Sequence, residues 1–152
     1  MARAVPEKRE DPGRHEPWDG WMDEAAAIVA VKSPNAIRTH IYRDYDGTPL
    51  MRVDTTLVAR PGKKADKIFQ PRTPFVMPDG SKIIKDEASP TGESPRPPYN
   101  AELLAGTEGP VLYVEGEKCA DALRAYIKDA LPVLALYGNN PDGTDFSKIA
   151  GR

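Results

Sequence analysis

Two carboxylates, Glu115 and Glu117, stand either side of Gly116 where an apolar run ends and an amphipathic one begins. Carboxylates at such a junction hold a hard cation, move a proton, or complement the start of a helix. The stretch VLYVEG is nearly all apolar up to the first glutamate, and PVLALYG repeats that pattern after an intervening EKCADALRAYIKDA. Near-continuous apolar runs flanking a helical period predict two parallel strands covered by their crossover helix, with right-handed connection. Ligand sites of open parallel sheets gather at the carboxyl ends of the strands. Glu115 is the last residue of the first strand, and Gly116 allows the sharp turn that follows. Position therefore makes Glu115 the candidate functional carboxylate. Glu117 falls in the first helical turn, where the helix dipole favours negative charge, and is read as a helix-start residue. On the helix, Cys119, Ala122, Leu123, Tyr126, Ile127 and Ala130 trace the predicted buried face. Lys118, Asp121, Arg124 and Lys128 trace the other.

The elements before this unit read as antiparallel. AIRTHIYRDYDGTPLMRVDTTLVAR alternates around Asp46-Gly47, a two-residue hairpin signal. Ile37, Thr39 and Ile41 fall on one face of the first strand, and Leu50, Val53, Leu57 and Val58 furnish the second. A basic turn, PGKKADK, leads to a short strand KIFQ, and Pro78-Asp79-Gly80 separates TPFVM from SKII. Arg60, Lys63, Lys64, Lys67 and Arg72 form the one basic cluster, with Phe69 and Phe75 interleaved. Such a hairpin can follow a nucleic-acid backbone and stack a base. The plainer reading is a solvated edge whose lysines prevent unwanted strand pairing. Residues 18–32 read as a short helix with Trp18 and Trp21 as anchors, and YNAELLAG as another helix ending at Gly106. Residues 1–17 read as a disordered arm, 86–98 as a Pro-rich linker, and 99–152 as the β-α-β unit.

Composition narrows the classes further. The 152 residues are 39% hydrophobic with 16 Pro and 12 Gly, which predicts a small core among many turns. A net charge of −2 names no partner, so any nucleic-acid surface must be a local patch. Cys119 is the sole cysteine, which excludes an intrachain disulfide and a cysteine-based zinc site, and it is read as a small core residue. A cytoplasmic location is the expectation. His15 and His40 have no partner at metal-ligand spacing. No apolar run approaches the roughly 20 residues needed to cross a bilayer, and the N-terminus lacks the apolar centre of a signal peptide.

VLYVEGEKCADAL resembles the first motif of Toprim domains, the nucleotidyl-transfer and strand-cleavage module of primases and topoisomerases. More narrowly it is similar to the V-x-V-E-G-E-K-x-A-D-A pattern of phage- and plasmid-type primases and primase-helicases. YRDYDGTPLMRV, GKKADKIFQPRTP and PPYNAELLAG resemble the hairpin, basic strand and helix that precede that motif, so the resemblance spans about residues 37 to 152. It implies that Glu115 is the catalytic and metal-associated glutamate, acting with an Asp-x-Asp pair on a later strand and with Mg²⁺ as cofactor. It also implies that Gly116 and Lys118 join Arg60, Lys63, Lys64, Lys67 and Arg72 in holding phosphates of a single-stranded template, beside a helicase domain or replication partner. The chain departs from the pattern after TDFSKIAGR, where the aspartate strand would follow. Asp142 and Asp145 do not replace it, since PDG and GTD are turn chemistry. Gly138, Asn139, Asn140 and Gly143 offer backbone N–H groups to a phosphate only weakly. The expected fold is α/β (α+β overall), an antiparallel β-hairpin region with an incomplete Toprim-like unit. The expected function is that of a primase fragment inactive by itself. The alternatives are a small non-enzymatic binding or inhibitor protein on the same scaffold, and a plain nucleic-acid-binding β module.

Overall fold

The computed structural model describes residues 36–85, 96–136 and 141–149. The arm, the helix expected over 18–32, most of the linker and residues 138–140 lie outside them. The described chain is a mixed α+β fold. Four antiparallel strands, β1 (Ala36–Arg43), β2 (Pro49–Arg60), β3 (Lys63–Val76) and β4 (Lys82–Lys85), pair in chain order. A 3₁₀ turn (Ala101–Leu104) follows, then β5 (Leu112–Val114), α1 (Glu117–Ile127) and β6 (Val133–Ala135), with β5 and β6 parallel as expected. No described helix is long and apolar enough to cross a membrane.

Hairpin chemistry differs in detail from the sequence reading. The Asp46-Gly47 connection is a longer loop: Gly47 N–H donates to Asp44 O at 2.9 Å and Asp44 N–H to Thr48 O at 2.8 Å. Gly47 stands at φ 89, a left-handed conformation that glycine adopts without a Cβ penalty. The Asp46 side chain accepts from Thr48 N–H, which holds its carboxyl below the usual range. The Met77–Ser81 turn repeats this construction, with Asp79 accepting from Ser81 N–H. The two-residue loop is instead Pro61-Gly62, where Arg60 pairs with Lys63. PGKKADK is therefore not a basic turn. Its lysines belong to a single 14-residue β3 that absorbs both KIFQ and most of TPFVM.

The face of β1 that carries Ile37, Thr39 and Ile41 in the sequence reading is not the buried one. His40 and Tyr42 point into the core, whereas Ile37 and Thr39 are exposed and Ile41 half-buried. On β2 the buried apolar positions are Met51 and Val53, while Leu57 and Val58 are exposed. Tyr42, Met51 and Val53 pack with Tyr99, Ala120, Val133 and Ala135, so the sheet and the β5-α1-β6 unit share one core. The end of the expected linker is part of this assembly. Pro98 is fully buried, Arg96 bridges Thr144, and Tyr99 exchanges backbone hydrogen bonds with Ala135.

A loop, 141–149, braces the hairpin turn from the other side. Tyr45 Oη donates to Asp145 O at 3.1 Å, and Tyr113 lies against Phe146. Burial first, then the nearby Asp145 charge, pushes the Tyr45 phenol from 10.0 up to about 12, and burial does the same for Tyr113. A phenol whose pKa is raised on folding stabilises the fold fully below its unfolded pKa and loses that contribution as pH passes its folded one. We therefore expect stability to fall between about pH 10 and pH 12, and Tyr45→Phe to lose part of that dependence. Urea unfolding at stepped alkaline pH reads it, and an unaltered alkaline profile in Tyr45→Phe would count against the brace.

Candidate functional site

The helix start is where the two halves of the molecule meet. The chain leaves β5 at Val114, passes Glu115 and Gly116, and enters α1 at Glu117. Gly116 occupies the N-cap in extended conformation with no side-chain cap, and Lys128 and Asp129 end the helix, both at positive φ. Arg124 Nε donates to Asp129 Oδ1 at 2.7 Å across that end.

Glu117 does more than complement the dipole. Its Oε1 accepts from Tyr42 Oη at 2.5 Å, a charge-assisted bond from β1. One helical turn on, Asp121 Oδ2 lies 3.3 Å from His40 Nε2, and its Oδ1 accepts from Tyr99 Oη at 2.9 Å. Burial, followed by the Asp121 charge, pushes the Tyr99 phenol well above its ordinary range. The ring of Tyr99 meets those of His40 and Tyr42 at 5.5 and 5.4 Å. Asn100 finishes the seam: Nδ2 donates to Val133 O at 3.0 Å from a left-handed backbone that Asn tolerates.

These bonds rotate the helix by roughly 60° from the face its apolar spacing predicts, at 100° per residue. Ala120 is fully buried with Leu123 and Ile127 packed beside it, while Cys119, Ala122 and Tyr126 are exposed. The physical reason is that β1 and Tyr99 present hydroxyl and imidazole groups, which draw Glu117 and Asp121 inward. Cys119 is thus a surface thiol and not a core residue. The signal missed in the sequence is that His40 and Tyr42 share one strand face while Glu117 and Asp121 share one helix face.

Glu115 sits one residue past the carboxyl end of β5, which stops at Val114 instead of including it, and is exposed, with no hydrogen-bond partner among the described residues. Beside it, a groove of about 510 Å³ opens between the first turn of α1 and the face of the antiparallel sheet. Gly116, Glu117, Lys118 and Cys119 line one wall, and Arg38, Leu57, Lys67 and Phe69 line the sheet side.

The basic cluster does not survive as one patch. Arg60 is paired with Asp66 at 2.7 Å. Strand alternation puts Lys63 and Lys67 on the groove face and Lys64 on the reverse. Arg72 is 3% exposed, so it is not available to a phosphate. On that reverse face Arg52 forks onto the fully buried Asp54, which Thr39 Oγ1 also reaches at 2.8 Å. Phe75 lies farther along β3. Among the described residues no group of three or more His, Cys, Asp or Glu is placed to hold a metal ion. Asp145 Oδ1 accepts from Ser147 N–H and Asp142 is exposed, in keeping with turn chemistry. Gly143 is buried with its carbonyl bonded to Arg96 N–H, so it is not part of a phosphate cradle. A single exposed carboxylate does not make a Mg²⁺ site, which takes six oxygens in near-ideal octahedral geometry.

Comparison with known proteins returns no matching family model, no similar curated protein and no similar solved structure.

The two glutamates should separate cleanly in unfolding experiments. Tyr42→Phe and Glu117→Gln are each expected to lose about 1 kcal/mol, and the double variant little more than either, because both remove one hydrogen bond to a charged group. Glu115→Gln should stay within about 0.5 kcal/mol of the parent. Urea unfolding of the four chains measures this, and strictly additive losses would show that the pair is not coupled.

Proposed function

We propose that the chain is the glutamate-bearing part of a Toprim-type nucleotidyl-transfer unit that serves primer synthesis in a mobile-element replication protein. The observation that carries the reading is the placement of Glu115. An unpartnered carboxylate stands at the end of the first strand of a parallel β-α-β unit, beside a groove wide enough for a nucleotide, where such sheets bind ligands. Exposure keeps Glu115 within reach of a 3′-hydroxyl, and its role is to accept or return that proton. Glu117, held by Tyr42, fixes the helix start and so the direction in which Glu115 projects. Phosphoryl transfer also needs charge on the transferred group neutralised, and one carboxylate does not supply the metal ligands for it. The residues described here therefore form half of a site.

A non-enzymatic binding protein is the second reading. What favours it is that much of the groove's lining is apolar, with Ile37, Met51, Val53, Leu57 and Phe69 on the sheet side. The two differ over Glu115, which a binder does not need.

The test is template-dependent nucleotide incorporation with Mg²⁺. The 152-residue chain is expected to show none above a Glu115→Ala control. A chain continued past Arg152 to include an aspartate pair is expected to make primers and to lose about 10²–10⁴-fold in rate on Glu115→Ala, the usual worth of a proton-transfer group. Incorporation by the 152-residue chain, or an extended chain indifferent to Glu115, would sink the proposal.

A further inference from the structure

The groove beside Glu115 has a chemistry of its own. Its sheet side is a ladder of three adjacent strands: Arg38 on β1 faces Thr55 on β2, Thr55 faces Phe69 on β3, and Leu57 faces Lys67 one step along. Phe69 is 62% exposed, and Ile37 and Leu57 beside it are 50% and 45% exposed. An aromatic ring so open on a strand face lacks the packing that ordinarily justifies burying its area. Three cations edge the groove: Arg38 and Lys67 from the sheet and Lys118 from the first turn of α1. None of the three has an ion-pair partner among the described residues. The one acid lining it, Glu117, is turned to Tyr42. An apolar, aromatic floor with cations at its edge complements a ligand that is flat and apolar in one part and anionic in another.

The geometry points to a single-stranded nucleic-acid site in this groove, with Phe69 as the stacking platform for a base and Arg38, Lys67 and Lys118 as phosphate contacts. Two inter-strand spacings, with β2 between, separate Arg38 on β1 from Lys67 on β3 by about 10 Å across the sheet, a span of one to two phosphates. Base stacking on an exposed aromatic combined with backbone cations is the general arrangement for sequence-tolerant single-strand binding. The groove runs to Gly116, so a strand lying in it ends beside Glu115. That alignment rests on the nucleotidyl-transfer reading, whereas the binding itself does not. The basic face is thus relocated: Lys67 and Lys118 are kept from the sequence reading, Arg38 is joined to them, and Arg60, Lys63, Lys64 and Arg72 are left out.

The test uses the whole chain and a fluorescein-labelled oligothymidylate of about ten nucleotides, within the usual site size of such folds. Anisotropy titrations should show salt-sensitive binding with a log–log slope near −2, from three contacts at about −0.7 each. Phe69→Ala should weaken binding by roughly five- to hundredfold and Phe69→Trp should restore it. The Arg38→Ala, Lys67→Ala double variant should flatten the slope by about 1.4. Lys148→Ala, in the loop at the other end of β1, removes a cation outside the groove and should change little. Cys119 lines the groove as the sole cysteine, so saturating oligonucleotide should slow its reaction with a maleimide. Absence of binding at low salt, an unaffected Phe69→Ala, or a thiol equally reactive with and without the strand would overturn the site. So would a thiol that reacts only after residues 1–35 are removed, because the chain itself would then fill the groove. A protein bound in the groove in place of the oligonucleotide, and weakened by Phe69→Ala and Lys67→Ala, would likewise reject it. Glu115→Gln should leave strand binding intact, which separates this result from the incorporation assay: binding without Glu115-dependent synthesis defeats only the catalytic reading, and synthesis without groove-dependent binding defeats only this one.

Discussion

Everything near the candidate site depends on how α1 lies against β1, and a match of two repeats sets that. Residues four apart on a helix stand about 6 Å apart along its axis, and residues two apart on a strand about 6.6 Å. Glu117 and Asp121 therefore meet Tyr42 and His40 as a pair of pairs, with Tyr99 closing the second. A slip of the helix by one residue would break both contacts together and leave two carboxylates facing aromatic rings. The buried ends of this part-buried contact, His40 and Tyr42, need partners, so the seam tolerates fewer registers than an all-apolar one would. The shared core of Tyr42, Met51, Tyr99, Ala120 and Val133 supplies the area, and the seam supplies the alignment.

The β-α-β unit was legible because its pattern has few competitors: two apolar runs on either side of a helical period make parallel strands in almost any context. The site's glutamate was legible for the same reason, since its place follows from the end of a strand. What resisted reading was facing. In AIRTHIY the isoleucines mimic the inner positions of an alternating strand, yet His40 and Tyr42 go inward. Tyrosine and histidine carry apolar bodies with polar tips, and whether such a side chain is core depends on a partner that lies far off in sequence. Tyr42 and Glu117 are 75 residues apart. The same ignorance of partners turned the helix by the wrong amount and placed Cys119 inside.

The basic cluster failed for a different reason. Counting charges along a presumed turn treats them as one surface, whereas a strand sends alternate residues to opposite faces. Once PGKKADK is a tight turn followed by β3, Lys64 and Lys67 part company, Asp66 neutralises Arg60, and Arg72 descends into the buried reverse face with Arg52 and Asp54. Phe69 and Lys67 remain together only because they lie two apart.

The position of the groove follows from lengths. α1 has 11 residues and spans about 16 Å, whereas the 14 residues of β3 extend about 46 Å at some 3.3 Å each. A helix that short covers only part of so long a sheet face. The seam commits Glu117 and Asp121 to Tyr42 and His40 of β1, and the sheet face at Arg38, Leu57 and Phe69 is left to line the groove beside the first turn of α1. Those positions change character along the strands, from buried Tyr42, Met51 and Val53 to exposed Leu57, Lys67 and Phe69. The helix start and the uncovered face must therefore adjoin, and the strand end that carries Glu115 necessarily opens beside them. One constraint, the register of Glu117 on Tyr42, thus decides where the sheet is left bare and brings that bare face next to the exposed carboxylate.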